Sequence, residues 1–202
     1  MLPPRPPEKK DGRRERSVRT HKVIVASLID LIEEGNVSPT AGQIARRASV
    51  AIRSIRQHFP SREDLFVAAV DEHARRVGPV RAYVDARLPF ERRVAAFAEA
   101  RGRELEFCAP VRRASSLVIG TPKSAASAIG RAMDDAWQRR RHEVEQVFAA
   151  ELDANTHRAE LLDALDLLSH GRTWDTMRNA MQLSPEAATA LLSRSILAVL
   201  TK

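Results

Sequence analysis

The sequence predicts an all-α fold, and three observations carry that expectation. Ala, Arg and Leu dominate the 202 residues, and all three favour helix. Only 8 glycines appear, few for a turn-rich β protein. Apolar residues recur every three or four positions between capping residues, and no stretch alternates apolar with polar side chains. With 44% hydrophobic residues the chain can fill a core, which excludes wholesale disorder.

Taken in order, residues 1–17 are expected to be a disordered basic arm. Pro3, Pro4, Pro6 and Pro7 precede a mixed-charge run with almost no apolar side chain. Val18, Val25, Ile29 and Ile32 then recur at helical spacing, predicting a helix over 18–34 that stops at Gly35 and Asn36. Thr40 and Gln43 form a capping-box pattern opening a short helix over 40–48. A tight turn at Ser49 and Val50 leads to a second short helix over 52–58, ended by Pro60. Ser61 with Asp64 caps a helix over 62–77, which Gly78 and Pro79 break. Further helices are expected over 89–107, where Pro110 interrupts, and over 111–118. Thr121 followed by Pro122 opens a long helix over 122–152. The last two run over 157–181, with a break at Gly171, and over 185–200, capped by Ser184 and Pro185.

The charge is unevenly spread. Residues 1–62 hold 13 Lys and Arg against 6 Asp and Glu, while residues 63–202 hold 20 of each. A basic module on a neutral body points to a polyanionic partner. Two short helices joined by a turn inside that module form a helix-turn-helix pattern, whose second helix fits the DNA major groove.

Residues 40–65, TAGQIARRASVAIRSIRQHFPSREDL, resemble the DNA-binding segment of the tetracycline-repressor (TetR/AcrR) family of bacterial transcription regulators. Thr40, Ile44, Ala45, Ala48, Val50, Ile55, His58, Phe59, Ser61, Glu63 and Leu65 carry the likeness without a gap. Residues 161–200, with Trp174, Met177, Leu183, Ser184 and Ala187, look like the end of such regulators. Four positions depart from the pattern. Ser49 stands where the family usually has Gly, at a cost of about 1 kcal/mol if φ is positive. Ala51 replaces the usual Ser cap of the recognition helix, a loss of about 1 kcal/mol. Arg56 replaces a phosphate-touching Tyr, and Arg62 a Lys.

The resemblance implies a three-helix DNA-binding domain over 18–65 and a helical ligand-binding and dimerisation domain over 66–202. Ile52, Arg53, Ser54 and Gln57 are the candidates for reading base edges. Thr40, Arg56, His58 and Arg62 are the candidates for phosphate contact, with a packing role as the alternative for His58. The implied partners are a pseudo-palindromic double-stranded operator, a second copy of the chain and a small-molecule effector. The alternative is a ligand-independent activator or architectural protein. Leu161, Leu165, Leu168, Ala188, Leu191, Leu192, Ser195, Ile196 and Val199 are expected to pair two chains, because the last helix is apolar on more than one face. Phe97, Phe107, Cys108, Met133, Trp137, Phe148, Trp174 and Met177 are the candidates for an effector pocket, and the scarcity of polar groups on those faces favours a mostly apolar ligand.

No catalytic or metal-ligand spacing appears, so neither enzyme chemistry, metal nor cofactor is expected. One cysteine permits no intrachain disulfide and no cysteine-built zinc site. No apolar run reaches the roughly 20 residues of a membrane helix. Residues 23–32 follow a basic segment but lack a cleavage site. The expected setting is the bacterial cytoplasm, on the nucleoid.

Overall fold

The computed structural model describes residues 11–78, 80, 83–118 and 128–201. Its helices are α1 (Asp11–Glu33), α2 (Ala41–Arg47), α3 (Ile52–His58), α4 (Arg62–Val77), α5 (Phe90–Val118), α6 (Ala128–Val147), α7 (Ala149–Asp153), α8 (Arg158–Leu168), α9 (Gly171–Asp175) and α10 (Pro185–Leu200), with one π-helical turn at Thr176–Ala180. Among the described residues there is no strand. Three capping signals read from the sequence are in use among the described residues. Thr40 and Gln43 make a reciprocal capping box on α2, and Ser61 and Asp64 make one on α4. Ser184 Oγ accepts the Ala187 N–H at 3.1 Å, with Pro185 in the first turn of α10. Gly35 ends α1 at φ +96°, while the Asn36 N–H reaches back to the Leu31 carbonyl.

Four helix boundaries differ from expectation. α1 starts at Asp11, so residues 11–17 are helical rather than part of a disordered arm. α5 runs unbroken through Pro110, with Ala109, Val111 and Ala114 buried around it. Packing on these neighbours holds the helix where the proline removes one backbone bond. The long helix expected over 122–152 ends at Val147, where Phe148 (φ −111°, ψ 23°) separates α6 from α7. Its expected cap, Thr121 and Pro122, lies outside the described residues. The helix expected over 157–181 is α8, α9 and the π turn. His170 breaks it in extended backbone, its Nδ1 accepting the Arg172 N–H at 3.1 Å. At Gly171 an added Cβ would stand 2.9 Å from Arg112 Cδ and Nε. The glycine lets that guanidinium reach Asp175, at 2.8 and 3.0 Å.

Burial sorts into three clusters. Ile24, Leu28, Ile29 and Ile32 of α1 pack with Ile44, Ile55, Phe59, Leu65 and Phe66, and Val111 and Ala114 of α5 reach the same cluster. A second cluster joins Val94, Phe97, Val144, Phe148, Leu152, Leu162, Leu165, Leu192 and Ile196. A third holds Leu105, Trp174, Met177 and Ala188. Each large side chain buried this way contributes about 1.5–3 kcal/mol.

His73 sits where α4 meets α5. It is buried, stacked on Phe107 with ring centroids 4.7 Å apart, and its Nδ1 is 4.0 Å from Glu33 Oε1. Burial first, and the Arg76 charge second, hold its pKa below the ordinary 6.5. The folded state therefore binds fewer protons than the unfolded one. Stability is full above pH about 6.5 and is lost as pH falls below it. Burial lowers His21 and His170 in the same direction. The melting temperature is expected to drop on acidification from pH 7 to 5, and His73→Leu to show a shallower drop. Equal slopes for the two proteins would remove His73 from this account.

Candidate nucleic-acid interface

Helices α2 and α3 are each 7 residues long and are joined by a turn at Ser49. That turn needs the left-handed region, and Ser49 occupies it at φ +54°. The Val50 N–H bonds to the Ala45 carbonyl at 3.0 Å, closing α2. Ala51 precedes α3 with no side-chain cap. Both sequence departures are therefore real local costs. Ser49→Gly and Ala51→Ser are each expected to raise stability by about 1 kcal/mol, read as a higher melting temperature. An unchanged or lower value for either would show that the turn is not strained as its backbone indicates.

Ile55 and Phe59 anchor α3 in the core, and this fixes what the helix presents outward. Ile52, Arg53, Arg56 and Gln57 are exposed and Ser54 is half-buried. Ile52 is 48% exposed, an apolar side chain on a charged surface. Arg53 and Arg56 form no ion pair among the described residues, so their guanidiniums stay available to an anion. The base-edge candidates thus share one solvent-facing helix.

The phosphate candidates divide. Arg56 is exposed and uncommitted. The Thr40 hydroxyl is occupied by the cap, accepting the Gln43 N–H and donating to Gln43 Oε1 at 3.0 Å. Arg62 donates to Ser38 Oγ at 2.8 Å and lies over the Phe66 ring. His58 packs against His21, with ring centroids 6.2 Å apart, and beside Phe59, which favours the packing role. The sequence reading missed Ser38 and His21, which hold these two residues. Neither lies in the motif segment, so only the fold brings them in. Behind the pair, Arg47 forms a two-bond ion pair with Glu34, and this hydrogen bonding holds the Glu34 carboxyl below its usual range.

The structure disperses the expected effector pocket. Phe97 and Phe148 meet edge to face at 5.2 Å inside the second cluster, and Trp174 and Met177 belong to the third. Phe107 stacks on His73, and Cys108 is half-buried. Trp137 Nε1 donates to Asp166 Oδ2. The Met133 side chain lies outside the described residues. Arg101 and Glu104 of α5 are buried and paired at 3.0 Å, and Arg101 reaches Glu143 at 2.9 Å. A cleft of about 750 Å³ opens between α5 and α10, lined in part by Ala98, Gly102, Arg103, Phe107, Thr189 and Ser193. Phe107 is its one member from the predicted set.

The expected pairing residues also divide. Leu165, Ala188, Leu192 and Ile196 are buried within the chain's own core and have no surface left to give a partner. Leu161, Leu168, Leu191, Ser195 and Val199 remain half-exposed. Beside them Leu167 is 68% exposed.

Solved structures share this architecture over nearly the whole chain. A transcriptional regulator from Rhodococcus sp. Rha1 superposes at a TM-score of 0.66, with 19% identity, over 90% of this chain and 96% of that one. The fold is that of the TetR-family regulators. A Mesorhizobium loti protein assigned to that family matches at 0.64 and 18% identity, over 92% and 97% of the two chains. A multidrug-binding protein, EbrR, solved with imidazole, matches at 0.53 and 19% identity, over 96% and 97%. No family model and no curated protein matches the sequence. Helices α2 and α3 are the two short helices of the helix-turn-helix, and α3 carries the exposed Arg53 and Arg56. Among the described residues no helix is long and apolar enough to cross a membrane.

Proposed function

We propose that this chain is a homodimeric, sequence-specific DNA-binding regulator of transcription, acting as a repressor that a small molecule releases from its operator. The observation that carries the reading is α3, a short helix anchored by Ile55 with Ile52, Arg53, Arg56 and Gln57 exposed on its outer surface. Arg can pair with guanine, Gln with adenine, and Ile can touch a thymine methyl. One such helix reads only a few base pairs, so two copies on one face of the duplex are needed, with half-sites about 34 Å or a multiple apart.

The pairing surface consists of the outer faces of α8 and α10, with Leu161, Leu168, Leu191 and Leu197 half-exposed along them. An isologous contact sets these two helices against their symmetry mates. The effector binds the helical body and favours the state that cannot dock. Release requires that difference in affinity between the two states. The α5–α10 cleft, at about 750 Å³, is of a size that holds a small ligand, and its lining is mixed rather than purely apolar.

The test is selection from a random duplex library, with sedimentation of the same protein. The expected outcome is an enriched pseudo-palindrome and a dimer at micromolar concentration. Leu161→Glu with Leu197→Glu should give a folded monomer with weakened operator binding. Enrichment of no sequence would defeat the reading, and a stable wild-type monomer would defeat the dimer.

A further inference from the structure

α1 is longer than its own burial requires. Its first buried residue is Ile24, whereas every residue from Gly12 to Arg19 is exposed. At 1.5 Å per residue this is an overhang of about 12 Å of helix in solvent. Val18 is its one apolar residue and is 49% exposed, so no apolar contact holds the overhang in place. It persists by propagation from the packed half of α1, where each further residue adds a bond without a new nucleus. It carries Arg13, Arg14, Arg16 and Arg19, with Glu15 as the one acid from Gly12 to Arg19. None of these arginines forms an ion pair among the described residues.

The position of the overhang gives those charges a direction. Arg13, Arg14, Arg16 and Ser17 line a surface cleft of about 550 Å³ that Gln57 and His58 of α3 also line. Arg13, Ser17 and Thr20 recur at i, i+4 and i+7, which is one helix face, with Arg16 beside it. The basic face of the overhang and the C-terminal end of the recognition helix thus form one continuous surface.

We propose that this overhang is a second DNA-binding surface, indifferent to sequence, which grips the phosphate strand passing the C-terminal end of α3. The proposal rests on the DNA-binding reading above and adds to it a contact outside the helix-turn-helix. Guanidinium forks suit phosphate oxygens. Contacts to phosphate fix register without reading bases. On a helix the arginines are held against one segment of the backbone, at less ordering cost than on a flexible arm.

Two variants test it. Arg13→Ala/Arg14→Ala/Arg16→Ala removes charge and keeps the helix, since Ala is its best former. Ser17→Pro keeps every charge but restarts α1 at a first turn, where proline is tolerated, and so releases residues 11–16 from the helix. Each is titrated, across salt concentrations, against the duplex that the wild-type chain enriches from a random library. Both are expected to bind about tenfold or more weakly at low salt, and the triple variant to lose about 0.9 of salt slope per phosphate contact removed. The enriched sequence and the melting temperature should not change. A triple variant with wild-type affinity and slope overturns the proposal, as does one that selects a different sequence. So does a Ser17→Pro protein that binds like wild type, because the charges would then act without the helix. A wild-type chain that enriches no duplex overturns the DNA-binding reading itself, and the proposal with it.

Discussion

Leu192→Glu and Ile196→Glu, introduced together, are expected to abolish folding rather than merely separate two subunits. Both side chains are fully buried on α10, in the cluster that includes Phe97, Phe148 and Leu165. Arg101, which lies over the Phe97 ring of that cluster, is already paired with Glu104 and Glu143. Removing an ion from water costs several kcal/mol even after relaxation. Losing each leucine-sized contact adds about 2–5 kcal/mol. Two such sites exceed the roughly 5–15 kcal/mol that holds a domain together. Circular dichroism should show loss of cooperative melting at any protein concentration. Leu161→Glu/Leu197→Glu, on half-exposed positions, should melt cooperatively. If Leu192→Glu/Ile196→Glu instead gave a folded monomer, the burial of α10 described above would be wrong.

The contrast between those two pairs shows what the sequence could and could not convey. Local chemistry was legible. Thr40 with Gln43, Ser61 with Asp64, and Ser184 with Pro185 satisfy helix ends within three residues, so their signal needs no knowledge of the fold. The same holds for Ser49 and Ala51, whose costs follow from the turn they occupy. What failed was whatever a distant segment decides. Pro110 reads as a break until Val111 and Ala114 are seen packed into the N-terminal cluster. Gly171 reads as a break of unstated cause until Arg112 is seen against it. α10 is apolar on several faces, and periodicity does not say which stripe the chain keeps for itself. The candidate pocket residues are divided among separate clusters for a related reason. Aromatic residues mark cores as readily as cavities, whereas the α5–α10 cleft is shaped by small residues such as Ala98 and Gly102. At Gly102 an added Cβ would stand 2.6 Å from Thr189 Oγ1, so the two helices approach too closely for a larger residue.

Gln57→Ala is expected to relax base preference, and Arg56→Ala to weaken all sequences alike. Both residues are exposed on α3, and neither supports the fold, whose contacts there run through Ile55 and Phe59. A bidentate Gln–adenine pair discriminates by about 1–3 kcal/mol. In a homodimer the substitution strikes both half-sites, so the loss is about 2–6 kcal/mol for the full operator if the sites are independent. An arginine on phosphate carries no sequence information. Its removal in each half-site should instead lower the slope of log affinity against log salt by about 0.9 per contact. Titrating the enriched operator, and the same duplex changed at one base pair per half-site, separates the two effects. With Gln57→Ala the gap between the duplexes should narrow at every salt concentration. With Arg56→Ala the gap should persist while both lines flatten. A narrowed gap for Arg56→Ala at unchanged slope would exchange the two roles and turn α3 about its axis in the groove.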